Sequence, residues 1–138
     1  MRVFLDTNVL LDVIVERDNK QFSDDAATIL SLGDKGAIEL YMSVLSIPTI
    51  AYVIRKIDAE RKKQIIKDLT SIVKVLPSNP EHVECMIGGP MNDIEDALQV
   101  QSAKEGSCEL ILTRNINDFK ESEIPTLTPG EFLSRILE

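Results

Sequence analysis

Asp6, Asp93, Asp96 and Asp118 are the residues of this chain whose type and setting could do chemistry. Asp6 ends the apolar run Val3-Phe4-Leu5 and is followed by Thr7-Asn8 and then Val9-Leu10-Leu11. That order reads as a buried strand, a tight turn and a helix start. In an open parallel sheet, ligands sit beyond the carboxyl ends of the strands, so an acid there is a candidate binding group. Asp, Thr and Asn also cap helices well, and Asp6 could serve only as a cap.

Asp93 and Asp96 open a later helix. At about 100° per residue, Ile94, Ala97, Leu98 and Val100 define an apolar arc. Asp93 lies inside one edge of it and Asp96 just beyond, near Ala103, while Glu95, Gln99 and Ser102 fall on the water-facing side. Two acids beside a buried face call for a cation, a bound proton or strong hydrogen bonds. The plainer alternative is that Asp93 caps the helix and Asp96 sits on its rim. A third polar group, Thr113-Arg114-Asn115-Ile116-Asn117-Asp118, follows the apolar run Leu110-Ile111-Leu112. Thr113, Asn115 and Asp118 could therefore share a crevice with Asp6 if the first and fourth strands are neighbours. Oxygen-only ligation suits Mg²⁺ or Mn²⁺.

The elements that must position these acids alternate as βα units. Strands are expected at residues 3–5, 38–42, 73–76, 109–113 and 124–127. Helices are expected at 8–15, 24–34, from Ser43 or Ser46 through Arg55, from Asp58 or Ala59 to about 72, and at 81–87, 92–104 and 132–137. Residues 17–21 form a polar break, and 114–119 a loop or helical turn. Thr128-Pro129-Gly130-Glu131 has the form of a capping box.

Composition limits the function. With 138 residues, 43% hydrophobic and 28% charged, the chain has the length and balance of one soluble domain. No apolar run approaches a membrane span and the N-terminus lacks a signal-peptide pattern, so the expected location is the cytoplasm. One histidine, His82, and two unpaired cysteines, Cys85 and Cys108, argue against triad chemistry and zinc sites. The net charge of −8 opposes broad electrostatic binding of nucleic acid, so any such contact must be local or bridged by cations. The cluster Arg55, Lys56, Arg61, Lys62, Lys63 and Lys67 reads as a solvated helix face or an RNA-contacting patch. A flavodoxin-like phosphoacceptor domain is disfavoured, because Val75-Leu76-Pro77 and Leu112-Thr113-Arg114 supply neither its acid nor its lysine.

Leu5-Asp6-Thr7-Asn8, Asp96-Ala97-Leu98-Gln99, and Leu112-Thr113-Arg114-Asn115 with Asp118-Phe119 occur in that order over essentially the whole chain. On these segments the sequence resembles the PIN-domain proteins, metal-dependent ribonucleases that include the VapC-type toxins of bacterial toxin–antitoxin systems. The resemblance implies a single three-layer α/β domain over residues 1–138, with a parallel sheet of about five strands flanked by helices. It also implies Mg²⁺- or Mn²⁺-assisted hydrolysis of RNA phosphodiester bonds, an antitoxin protein as partner, and a homodimer. Asp6 matches the first family acid, Asp96 the acid of the late helix, and Asp118 an acid after the fourth strand. Asn115 falls where many members place that last acid. Asn8 and Thr113 match polar supports, and Asp93 fits an additional acid. Many members also carry a glutamate early in the third helix, where this chain has Pro48-Thr49-Ile50 and no acid. A catalytically weak or inactive variant that binds RNA or protein is the alternative expectation.

Overall fold

The structure is a computed structural model that describes residues 1–17 and 19–136. Its elements run β1 (Arg2–Leu5), α1 (Thr7–Ile14), α2 (Lys20–Asp34), β2 (Glu39–Ser43), α3 (Ser46–Val53), α4 (Ala59–Thr70), β3 (Val73–Leu76), α5 (Pro80–Gly88), α6 (Ile94–Glu105), β4 (Leu110–Leu112), a 3-10 turn (Ile116–Phe119), β5 (Thr126–Leu127) and α7 (Pro129–Ile136). The five strands pair in the order β3-β2-β1-β4-β5, and every pairing is parallel. Val3 lies opposite Leu40 on one side and Leu110 on the other.

Parallel strands need crossovers, and the helices supply them on both faces. Side chains alternate across the strands. Val3, Leu5, Leu40, Met42, Leu110 and Leu112 join one core with residues of α1, α2, α3, α4 and α7. Phe4, Tyr41 and Ile111 join a second, smaller core with Val100 and Ala103 of α6 and with Phe119 and Ile124. This is the expected three-layer α/β arrangement. Gly106 ends α6 hard against the sheet: a Cβ there would come within 2.6 Å of Leu76 Cδ1. The left-handed step out of the helix is taken instead by Ser107, at φ 56°.

Several boundaries differ from the sequence pattern, each for a local reason. Helix α2 starts at Lys20, inside the polar stretch, because the Asn19 side chain accepts from the Gln21 amide and caps it. Its first turn is then tied by Lys20–Asp24 and Gln21–Asp25 contacts at i,i+4 spacing. Helix α3 stops at Val53, two residues short of Arg55, where Ile54 leaves helical geometry. Strand β4 is shorter than the expected 109–113, and β5 keeps only Thr126 and Leu127. The capping box holds, with Thr128 Oγ1 accepting from the Glu131 amide and Glu131 Oε1 accepting from the Thr128 amide, both at 3.1 Å. Helix α7 begins earlier than residue 132, at Pro129, and Leu137 lies outside the described residues. Among the described residues, no helix is long and apolar enough to cross a membrane.

Candidate active site

The chain leaves β1 for β2 and β3 on one side, then returns through α6 to β4 on the other. Neighbouring strands whose connections depart in opposite directions leave a crevice at their carboxyl ends. That switch point lies between β1 and β4. It holds a pocket of about 210 Å³ lined by Asp6, Asn8, Thr49, Asp93, Glu95, Asp96, Asn115 and Asp118, among others. The four predicted acids therefore face one space, together with Asn8 and Asn115.

Asp6 is set deepest, at 3% exposure. It follows β1 directly, and its amide stays tied to the neighbouring strand, donating to Leu112 O at 3.0 Å. Its side chain makes no capping bond into α1. Instead the buried Thr113 hydroxyl donates to Asp6 Oδ2 at 2.9 Å and accepts from the Asn115 amide at 3.0 Å. Burial raises the Asp6 pKa above the usual carboxylate range. The Thr113 hydroxyl, the Gln99 amide and the Thr7 backbone oppose that rise, and the Glu95 charge adds to it.

Asp96 stands half-buried in the first turn of α6, with its pKa pushed up to about 7. Desolvation is the main cause, followed by the charges of Asp6, Asp93, Asp118 and Glu95. Asp93 caps α6, its Oδ1 accepting from the Asp96 amide at 2.9 Å, and it also lines the pocket. Asp118 is exposed on the 3-10 turn at the rim.

The facing of α6 corrects the sequence reading. Gln99 and Ser102, expected in water, are fully buried, whereas Ile94, expected in the apolar arc, is 61% exposed. The inward face centres on Asp96, Gln99, Val100 and Ala103, because small and polar side chains let the helix approach the strand ends. Ser102 reaches back to donate to Pro77 O at 3.0 Å. Glu95, also expected to face water, is exposed but lines the pocket and accepts from the Thr7 hydroxyl at 3.3 Å.

A family model for the PIN domain matches residues 2–117. The chain belongs to the PIN-domain family. This PIN domain is 37% identical to Ribonuclease VapC1 of Aquifex aeolicus (strain VF5), over an alignment covering 97% of the chain and 94% of the relative. In fold it is similar to VapBC2 from Rickettsia felis, solved bound to a DNA fragment from its promoter. That match has a TM-score of 0.66 at 16% identity, covering 93% of this chain and 98% of the other. It is likewise similar to VapBC-1 from nontypeable Haemophilus influenzae, with a TM-score of 0.65 at 18% identity, covering 94% and 99%.

Sequence reasoning missed Glu95 in the pocket of this PIN domain and, outside its lining, the buried polar residues Gln99 and Asp12. The signal for Gln99 was its spacing, since Asp96, Gln99 and Ala103 recur at i, i+3 and i+7 and lack any bulky apolar residue. Asp12, 3% exposed on α1, pairs with Arg114 Nε at 3.0 Å and Arg17 Nη2 at 3.4 Å. The Arg114 guanidinium also lies over the Phe22 ring at 4.5 Å. These contacts anchor the residue between Thr113 and Asn115 and so orient the exit from β4.

The donor set is all oxygen, which is the chemistry of hard cations. Among the described residues, no three of these groups are already arranged to hold a metal ion. They face the pocket from three elements, and a cation that keeps several waters needs only one or two direct carboxylates. A buried Asp6 and a half-buried Asp96 whose ionised form is disfavoured by its neighbours fit such a cation.

Proposed function

We propose that this chain is a divalent-cation-dependent endoribonuclease that hydrolyses RNA phosphodiester bonds as the toxin of a toxin–antitoxin pair. The observation that carries the reading is the convergence of Asp6, Asp93, Asp96 and Asp118 on one pocket at the switch point of the sheet. The 37% identity to a protein named Ribonuclease VapC1 supports the reaction class. The likeness to VapBC toxin–antitoxin structures supports a protein partner of antitoxin type.

Asp6 and Asp96 would hold Mg²⁺ or Mn²⁺ directly, with Asp118 and Asp93 completing the site directly or through water. A bound divalent cation supplies charge neutralisation at the phosphodiester and a water of lowered pKa. The chain's own part is positional. Thr113 fixes the Asp6 carboxylate through Oδ2, and its link to the Asn115 amide fixes the loop carrying Asn115 and Asp118. Asn8 and Asn115 offer neutral polar groups at the rim, able to bind phosphate or ribose oxygens without adding negative charge. The buried wall behind Asp6 keeps bulk water from one side of the pocket and strengthens each electrostatic contact there.

A second reading is favoured by the α3 wall, where Thr49 stands in the pocket without a charge. On that reading the domain cleaves weakly or not at all and serves as an RNA- or protein-binding module. Cleavage of single-stranded RNA by the purified chain, compared with Asp6→Asn, separates the two.

A further inference from the structure

Carboxylates line the pocket from the end of β1, from the start of α6 and from the turn after β4, but α3 presents only the neutral Thr49. Ser46 is fully buried at the start of α3, and its hydroxyl lies 2.7 Å from the Thr7 hydroxyl. Thr7 in turn donates to Glu95 Oε1 at 3.3 Å. A chain of hydroxyls thus ties the Glu95 carboxylate to the beginning of α3, three residues before Thr49. Its charge acts on both Asp6 and Asp96.

One turn further along α6, Gln99 is fully buried, and neither its amide oxygen nor its nitrogen makes a hydrogen bond of good geometry. Its influence on Asp6 puts that amide beside the deepest acid of the pocket. A buried amide with unmet hydrogen-bonding capacity beside that acid marks a place where a ligand or its water is expected.

We propose that Glu95 completes the cation site on its α3 side, supplying from the first turn of α6 the carboxylate that α3 lacks, with Thr7 and Ser46 as its positioning residues. The proposal rests on the cation-dependent reading above. Glu95 is exposed enough to swing toward a bound ion, and the Thr7 bond at 3.3 Å is long enough to yield without strain. The pocket then has negative charge on every side, although Thr49 is neutral.

The test is calorimetric titration of the full chain with MnCl₂ in the absence of RNA. Glu95→Gln keeps an acceptor for Thr7 while removing the charge, and circular dichroism checks its folding. It should weaken Mn²⁺ binding about 10- to 100-fold, and Thr49→Glu added to Glu95→Gln should recover most of that loss. Glu84→Gln on α5 should bind as wild type, which excludes a general effect of net charge. Wild-type affinity in Glu95→Gln, with binding lost in Asp6→Asn, would overturn the role of Glu95 and leave the cation reading standing. Loss in Glu95→Gln without recovery by Thr49→Glu would also overturn it, since the effect would not follow the charge. No Mn²⁺ binding by wild type would remove both.

Discussion

Thr113 Oγ1 and Asp6 Oδ2 lie 2.9 Å apart across the junction of β1 and β4, both nearly or wholly out of contact with solvent. The bond joins residues 107 positions apart in sequence, and it holds the deepest acid of the pocket in one orientation. Thr113→Val keeps the shape and removes the donor. It should leave a buried acceptor unsatisfied and cost about 1–3 kcal/mol, read by urea denaturation at pH 8. Because the hydroxyl favours ionised Asp6, the cost should shrink at low pH, where Asp6 is protonated. Equal losses at both pH values would mean that the hydroxyl matters only for packing.

The raised pKa of Asp96 gives a second expectation. Its carboxyl titrates near 3.8 when unfolded and at about 7 in the fold, so the folded state binds the extra proton between those values. Its contribution to stability is present below about pH 4 and is lost as pH rises toward 7. In EDTA, the difference in unfolding free energy between wild type and Asp96→Asn should therefore change across that window, to the disadvantage of wild type at high pH. A pH-independent difference would contradict the assignment.

Mn²⁺ should reverse that disadvantage. A cation at about 100 times its dissociation constant adds roughly 2.7 kcal/mol, so the melting temperature of wild type should rise by several degrees. Asp6→Asn should lose most of the rise, yet be the more stable of the two proteins without metal, because it removes a buried charge. Equal, small shifts in both proteins would mean that no specific site exists.

How much of this was legible in the sequence follows the physics of each signal. Short apolar runs, 3.6-residue spacing and cap or stop residues located the described strands and helices, since burial in a sheet or on a helix stripe leaves a direct trace in residue type. Asp6 was legible because an acid that ends an apolar strand has no packing reason to be there, Asp96 because it sits beside the apolar arc of a helix, and Asp118 because it belongs to the polar segment that follows the fourth strand. The facing of α6 was not. A helix that meets strand ends through Gln99, Ser102 and Ala103 carries little apolar contrast, and bulky Ile94 misleads because it points to solvent. Asp12 was hidden as well, since its value lies in Arg17 and Arg114, partners that only the fold brings near.

Helix α3 bears on assembly. Ile50 within it and Ile54 at its end are buried, but Tyr52 is 64% exposed and lies under the Arg55 guanidinium at 4.2 Å. A dimer or a stable partner complex through this surface is expected, and Tyr52→Glu should weaken it. Light scattering that gives a monomer mass at tens of micromolar, with no change on mutation, would argue against the dimer.

Cation-assisted cleavage of RNA at the acidic pocket is the activity proposed for this chain. It is tested most directly by incubating purified wild type, Asp6→Asn and Asp96→Asn with single-stranded RNA in Mn²⁺, Mg²⁺ or EDTA. Wild type should cleave internally, faster with Mn²⁺ than with Mg²⁺, because Mn²⁺ binds such ligands more tightly. EDTA should stop it, and both variants should be folded and inactive. Cleavage by Asp6→Asn at the wild-type rate, insensitive to EDTA, would contradict the account and leave the domain as a binding module.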